Sequence, residues 1–65
     1  MLTNKYSDLY YRIIQAASVR QMDPNCYYER HHIHPESLGG SSESDNLARL
    51  TAREHFICHW LLTKM

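Results

Sequence analysis

Five histidines sit in this 65-residue chain, all between His31 and His59. Imidazole both ligates divalent metals and exchanges protons near neutral pH, so such a cluster suggests metal or acid–base chemistry. His55 and His59 are four apart in a segment that reads as helix, which places their side chains on one face with Cβ atoms about 5–6 Å apart. Two imidazoles at that spacing can grip one divalent cation. Histidines four apart also occur on ordinary helix surfaces, so the pair alone is weak. The run ERHHIHP, Glu29 to Pro35, offers a third member. In a strand, Tyr27, Glu29, His31 and Ile33 share one face, and Tyr28, Arg30, His32 and His34 share the other. Ile33 belongs on the core side, against the following helix, so His31 turns toward His55 and His59. His32 then faces solvent or a ligand. The pleat predicts a three-imidazole site beside a free histidine; the competing reading is a solvated basic strand.

Two helices and a strand pair must position these groups. Tyr6, Leu9, Tyr10, Ile13, Ile14 and Ala17 form one apolar stripe at helical spacing. Thr3 or Asn4 is the expected cap, and Asp23-Pro24-Asn25 the turn that stops this helix by about Gln21. A strand is expected over Cys26 to Ile33, followed by an irregular loop from Pro35 to Asp45 and a short second strand from Asn46 to Leu50. Loops of such length in small domains are usually functional. Thr51-Ala52-Arg53-Glu54 matches a capping box, so a helix is expected from Ala52 to the end of the chain. Phe56, Trp60 and Leu61 or Ile57 form its expected apolar flank. With no capping glycine after Leu62, the sequence reads as though cut from a longer one.

Composition narrows the rest. At 7.7 kDa with 43% hydrophobic residues, the chain holds one small domain, too apolar for a disordered tail. It has no run of ~18 apolar residues to span a bilayer. Cores below roughly 70–80 residues are seldom sufficient without a metal, a disulfide or a partner. Two cysteines, Cys26 and Cys58, and no basic-then-apolar leader suggest an intracellular, cytoplasmic setting. Seven Lys and Arg balance seven Asp and Glu, which counts mildly against a self-sufficient nucleic-acid binder.

Taken together, His31-His32-Ile33-x-Pro35, Gly39-Gly40, Asn46-Leu47-x-x-Leu50-Thr51-x-x-Glu54-His55 and His59 resemble the HNH endonuclease family, in particular its phage and mobile-element (homing-endonuclease-like) members. The resemblance covers about residues 29–59 and extends more weakly to the helix before them. It implies an α+β chain with a small ββα-metal (His-Me finger) fold over residues 26–65 and an additional N-terminal helix and turn over residues 1–25. It also implies that His31, His55 and His59 are metal ligands and that His32 is the general base activating water. Asn46 would bond across the loop and orient that base. Many relatives carry Asp where His31 stands. Some bind a structural zinc through cysteine pairs, and this chain has no Cys-x-x-Cys.

Phosphodiester hydrolysis fits these parts. A neutral imidazole such as His32 can take a proton from water, and a divalent cation can stabilise the phosphate and the 3′ leaving oxygen. Three imidazoles favour Zn, Ni, Co or Mn over Mg, with Mg and Mn kept as candidates for the working ion. Arg30, Arg49 and Arg53 are candidate phosphate contacts, each otherwise a plain surface charge. His34 is expected to be a loop residue. Cys58 is a fourth ligand or, more in keeping with its type, a buried inert thiol. Phe56 and Trp60 are expected in the core. The expected activity is metal-dependent endonucleolytic cleavage of double-stranded DNA, with affinity helped by a dimer or by further segments of a longer parent. The alternative is a non-catalytic module in which Cys58 or Cys26 closes a structural zinc site.

Overall fold

The computed structural model describes residues 4–65, so Thr3, one of the two expected caps, lies outside the described residues. Asn4 takes that role. Its side chain accepts from the Tyr6 and Ser7 amides, while Ser7 Oγ accepts from the Asn4 amide. Helix α1 (Lys5–Val19) follows and ends two residues before the expected Gln21. It buries Ser7, Tyr10, Ile14 and Ala17, with Tyr6 and Ile13 packed at the margin. Leu9 departs from the stripe and is 48% exposed, while Ser7, on another side of the helix, is buried.

Strand β1 (Glu29–His32) pairs antiparallel with β2 (Leu47–Leu50), with Glu29 opposite Leu50 and His32 opposite Leu47. The expected strand from Cys26 is therefore too long. The partner chain beyond Leu50 turns at once into a helix cap at Thr51, so Cys26, Tyr27 and Tyr28 have no strand to pair with. At the other end Ile33 N donates to Asn46 O, adding one bond beyond the ladder. Asn46 itself closes a 3₁₀ turn, Ser44–Asn46, and β2 begins one residue later than expected.

The connecting loop contains a second 3₁₀ turn, Glu36–Leu38, ended by Gly39 at φ 92°. That conformation favours glycine. Gly40 is demanded by space instead: a Cβ there would lie 1.7 Å from His34 O.

Helix α2 (Ala52–Leu62) starts in the expected capping box, Thr51 Oγ1 accepting from Glu54 N and Glu54 Oε1 accepting from Thr51 N. Its buried positions are Cys58 and Leu61. The expectation for Phe56 and Trp60 fails: they are 75% and 50% exposed. Four apart, they share the side of α2 opposite Cys58 and Leu61. Trp60 is edge-on to Tyr6 and carries Lys64 over its ring. The core is completed by Tyr10, Ala48 and Leu50, clamped between the two helices and one face of the hairpin.

Arg20, just after α1, joins the two helix ends. Its guanidinium forms two bonds to the Glu54 carboxylate, at 2.9 and 2.7 Å, and a third to Arg49 O. The Arg20 bonds hold the Glu54 carboxyl below the usual carboxylate range. Sequence reading gave this arginine no role. Among the described residues, no helix is long and apolar enough to cross a membrane.

Candidate functional site

Strand parity holds where it matters. His31, 2% exposed, points inward from β1, and His55 and His59 project toward it from α2. The ring centroids lie 5.1 Å apart for His31–His55, 5.3 Å for His31–His59 and 4.6 Å for His55–His59. One potential ligand nitrogen from each lies within 4.8 Å of the other two. Tetrahedral coordination at Zn–N distances of about 2.0–2.1 Å needs nitrogens about 3.3 Å apart. A small closure of the side chains reaches that, so the donor set fits a divalent cation. Neither cysteine joins the cluster: Cys58 is fully buried in the core, and Cys26 is exposed with its thiol against Asp23. Burial also pushes the Cys58 thiol up to about 11, which disfavours the thiolate that metal binding needs.

Two protein groups stand behind these imidazoles. Glu29, two residues before His31 and on the same strand face, accepts from His55 Nδ1 at 2.7 Å. A carboxylate can only accept, so Nδ1 carries a proton, and in the neutral ring the His55 lone pair is on Nε2, the nitrogen turned toward His59. The bond to His55 comes first among the causes that hold the Glu29 carboxyl below its ordinary range, with a bond from Tyr27 second. Tyr10, buried in α1, has its hydroxyl 2.7 Å from His31 Nε2. Burial, then the neighbouring His55, His59 and His32, pushes the His31 pKa down to about 4, leaving the ring neutral as a ligand must be. His59 Nε2 lies 3.0 Å from His55 Nε2. With His55 Nε2 the acceptor there, His59 carries its proton on Nε2, and that proton must move to Nδ1 before Nε2 can ligate.

His32 faces the other way, as expected, but it is not free. Its Nε2 lies 3.2 Å from Ser42 Oγ and 3.4 Å from Glu36 Oε1, both in the loop. His31, His32, His55 and His59 nevertheless line one open cleft of about 290 Å³, together with Arg30 and Glu36. Asn46 spans the loop: Oδ1 accepts from His34 N at 2.8 Å, and Nδ2 donates to His34 O at 3.0 Å and to Ser41 O at 2.6 Å. It does not touch the His32 ring. Its hold passes through Ser41 to the adjacent Ser42. His34 is a loop residue, with its ring bonded to Leu38 O.

The three arginines part company. Arg30 and Arg49 are opposed across the hairpin, exposed, and without an ion-pair partner among the described residues. Like charges directly opposite are unfavourable, so this pair is suited to an anion. Both border a second depression of about 190 Å³ with Ser44 and Leu47. Arg53 lines neither cleft. Glu29, Tyr10, Ser42 and Glu36 went unrecognised in the sequence. Parity placed Glu29 on the His31 face and could have flagged it, whereas nothing local marks Tyr10.

The chain is 49% identical over 63 residues to Probable mobile endonuclease D of Enterobacteria phage T4, covering 92% of this chain and 24% of that protein. With Probable mobile endonuclease E of the same phage it shares 45% over 60 residues, covering 92% and 42%. With Probable mobile endonuclease C the figures are 37% over 62 residues, 92% and 30%. The chain thus spans only about a quarter to two-fifths of the length of these curated relatives. No protein-family model matches it, and no solved structure does. Over nearly its whole length, this small α+β chain is similar to part of several phage proteins named as probable mobile endonucleases.

Proposed function

We propose that this chain is the metal-binding catalytic unit of an HNH endonuclease that hydrolyses phosphodiester bonds in double-stranded DNA. Residues 26–65 form its ββα-metal motif, and residues 1–25 add a helix and turn that complete the core. The observation that carries the reading is the convergence of three imidazoles on one side of β1, with a fourth, His32, bordering the same cleft. His31, His55 and His59 hold the cation; a non-protein position stays open because neither cysteine reaches the cluster. A bound divalent ion supplies charge stabilisation at the phosphate and the leaving oxygen. His32 takes the proton from the attacking water. Asn46 holds the loop that carries Ser42 and Glu36 against His32, and Arg30 with Arg49 contacts flanking phosphates. DNA affinity is shared with segments of a longer parent or with a second copy, in keeping with a neutral chain. The setting is a phage or mobile element acting inside its host cell.

Plasmid relaxation at low salt, with Mg, Mn, Ni or Zn and with chelator, tests this reading. Metal-dependent nicking is expected, lost in His32→Ala while bound metal stays at the wild-type level. A folded, metal-loaded chain that nicks with none of these ions overturns it. So does a His32→Ala variant as active as wild type.

A further inference from the structure

The Tyr10 hydroxyl sits between two groups that both need its attention. It donates to Ile33 O at 2.6 Å and lies 2.7 Å from His31 Nε2. A phenol has one proton, and a backbone carbonyl can only accept. The proton is therefore spent on Ile33 O, and the second contact closes only if His31 Nε2 carries a hydrogen and donates it to the phenolic oxygen. Tyr10 is 0% exposed and His31 2%, so leaving either contact unmade would strand a buried polar group without a partner. The neutral His31 ring then has its lone pair on Nδ1.

We propose that Tyr10 is a positioning residue of the histidine site, holding His31 in the Nε2-protonated tautomer so that Nδ1 is the nitrogen offered to a metal ion. The inference rests on the metal-site reading above for its consequence, but not for the tautomer itself. It makes α1 part of the centre. Glu29 does the matching task for His55 from the strand, selecting Nε2. The two outer groups thus choose opposite nitrogens on two rings that approach from different elements. Tyr10 also ties the ring to Ile33 O, two residues along the same chain, so ring orientation and the exit of β1 are coupled through one oxygen.

Two measurements on the 65-residue chain test this. The first is the imidazole nitrogen spectrum of wild type in the presence of chelator. Expected is a protonated Nε2 and an unprotonated Nδ1 for His31; the reverse pattern overturns the proposal. The second is Zn affinity of Tyr10→Phe, by competition with a chromophoric chelator, beside Tyr11→Phe as a control whose phenol is outside the site. Loss of an outer hydrogen-bond partner typically lowers metal affinity about 10–100-fold, and that fall is expected for Tyr10→Phe alone. Tyr10→Phe with lower metal-free stability but unchanged affinity would assign Tyr10 to packing only and overturn the proposal. Should wild type bind no metal, the metal-site reading fails, while the nitrogen spectrum still decides the tautomer. The same spectrum decides it if Tyr10→Phe does not fold.

Discussion

On the inner face of β1, His31 is 2% exposed, bonded through Nε2 to Tyr10 and flanked by the His55 and His59 rings. One residue later, on the outer face, His32 leaves 21% of its side chain in solvent and meets only loop groups, Ser42 and Glu36. The same side chain thus has two environments 180° apart on a pleat. A metal ligand needs a fixed ring, a neutral state and a lone pair aimed at one point, which burial and a buried partner provide. The base proposed at His32 needs access to water, which an exposed loop contact allows. Neither residue suits the other's place.

The most forceful way to break the comparison is to delete each ring in turn. His32→Ala should lower cleavage about 10²–10⁴-fold, the usual contribution of a general base, with metal content and thermal midpoint near wild type. His31→Ala should lose metal and stability together, since it opens a buried hole beside Tyr10, His55 and His59. If the two variants prove alike in metal content and melting, the faces are not functionally distinct. Asn46→Ala comes next. It removes three loop bonds and should cost about 5-fold or more in rate, since one bond of roughly 1 kcal/mol corresponds to about 5-fold, with metal affinity unchanged. Steady-state nicking and chelator competition together separate those outcomes.

The inner face also predicts a pH response. The folded His31 resists protonation down to about 4 against an ordinary 6.5, so the unfolded chain binds more protons between those values. Stability of the metal-free protein is therefore full above pH 6.5 and falls as pH drops toward 4, by at most about 3 kcal/mol. Glu29 and Glu54, with carboxyls held low, contribute stability above ~4.5 that fades only at lower pH. The upper part of the window thus reports on the histidine rather than the carboxylates. Urea midpoints measured with chelator from pH 7.5 to 4 check this; a flat profile down to pH 5 would mean that the ring is not desolvated.

How far the sequence discloses these faces depends on whether local period or distant packing decides. The β1 alternation is a two-residue rule, and it placed Glu29, His31 and Ile33 together as observed. The Thr51–Glu54 capping box is equally local, and it formed. The start of β1 was misread because the limit is set twenty residues away, where β2 ends in a helix cap. Phe56 and Trp60 were misplaced for a related reason. The side of α2 that meets β1 carries His55 and His59, and Cys58 and Leu61 take the core, so the large aromatics are left outside. Tyr10 looked like one more stripe residue, since only the tertiary fold brings its hydroxyl to His31.

The outer face offers the smallest and most specific test. Asn46 reaches His32 only indirectly, by holding Ser41 O at 2.6 Å, next to the Ser42 hydroxyl that meets His32 Nε2 at 3.2 Å. Ser42→Ala cuts that last contact and spares every Asn46 bond. One neutral, exposed hydrogen bond contributes about 0.5–1.5 kcal/mol, so cleavage should fall about 2–10-fold, without change in metal affinity or melting. In Asn46→Ala the loop is already loose, so adding Ser42→Ala should cost less than it does in wild type; neighbours in one network are not additive. Full additivity in the double variant would show that Asn46 acts on the base by some route other than Ser41–Ser42. A Ser42→Ala variant with wild-type rate would leave Glu36, 3.4 Å away, as the loop group that orients the ring, and Glu36→Gln would then carry the effect.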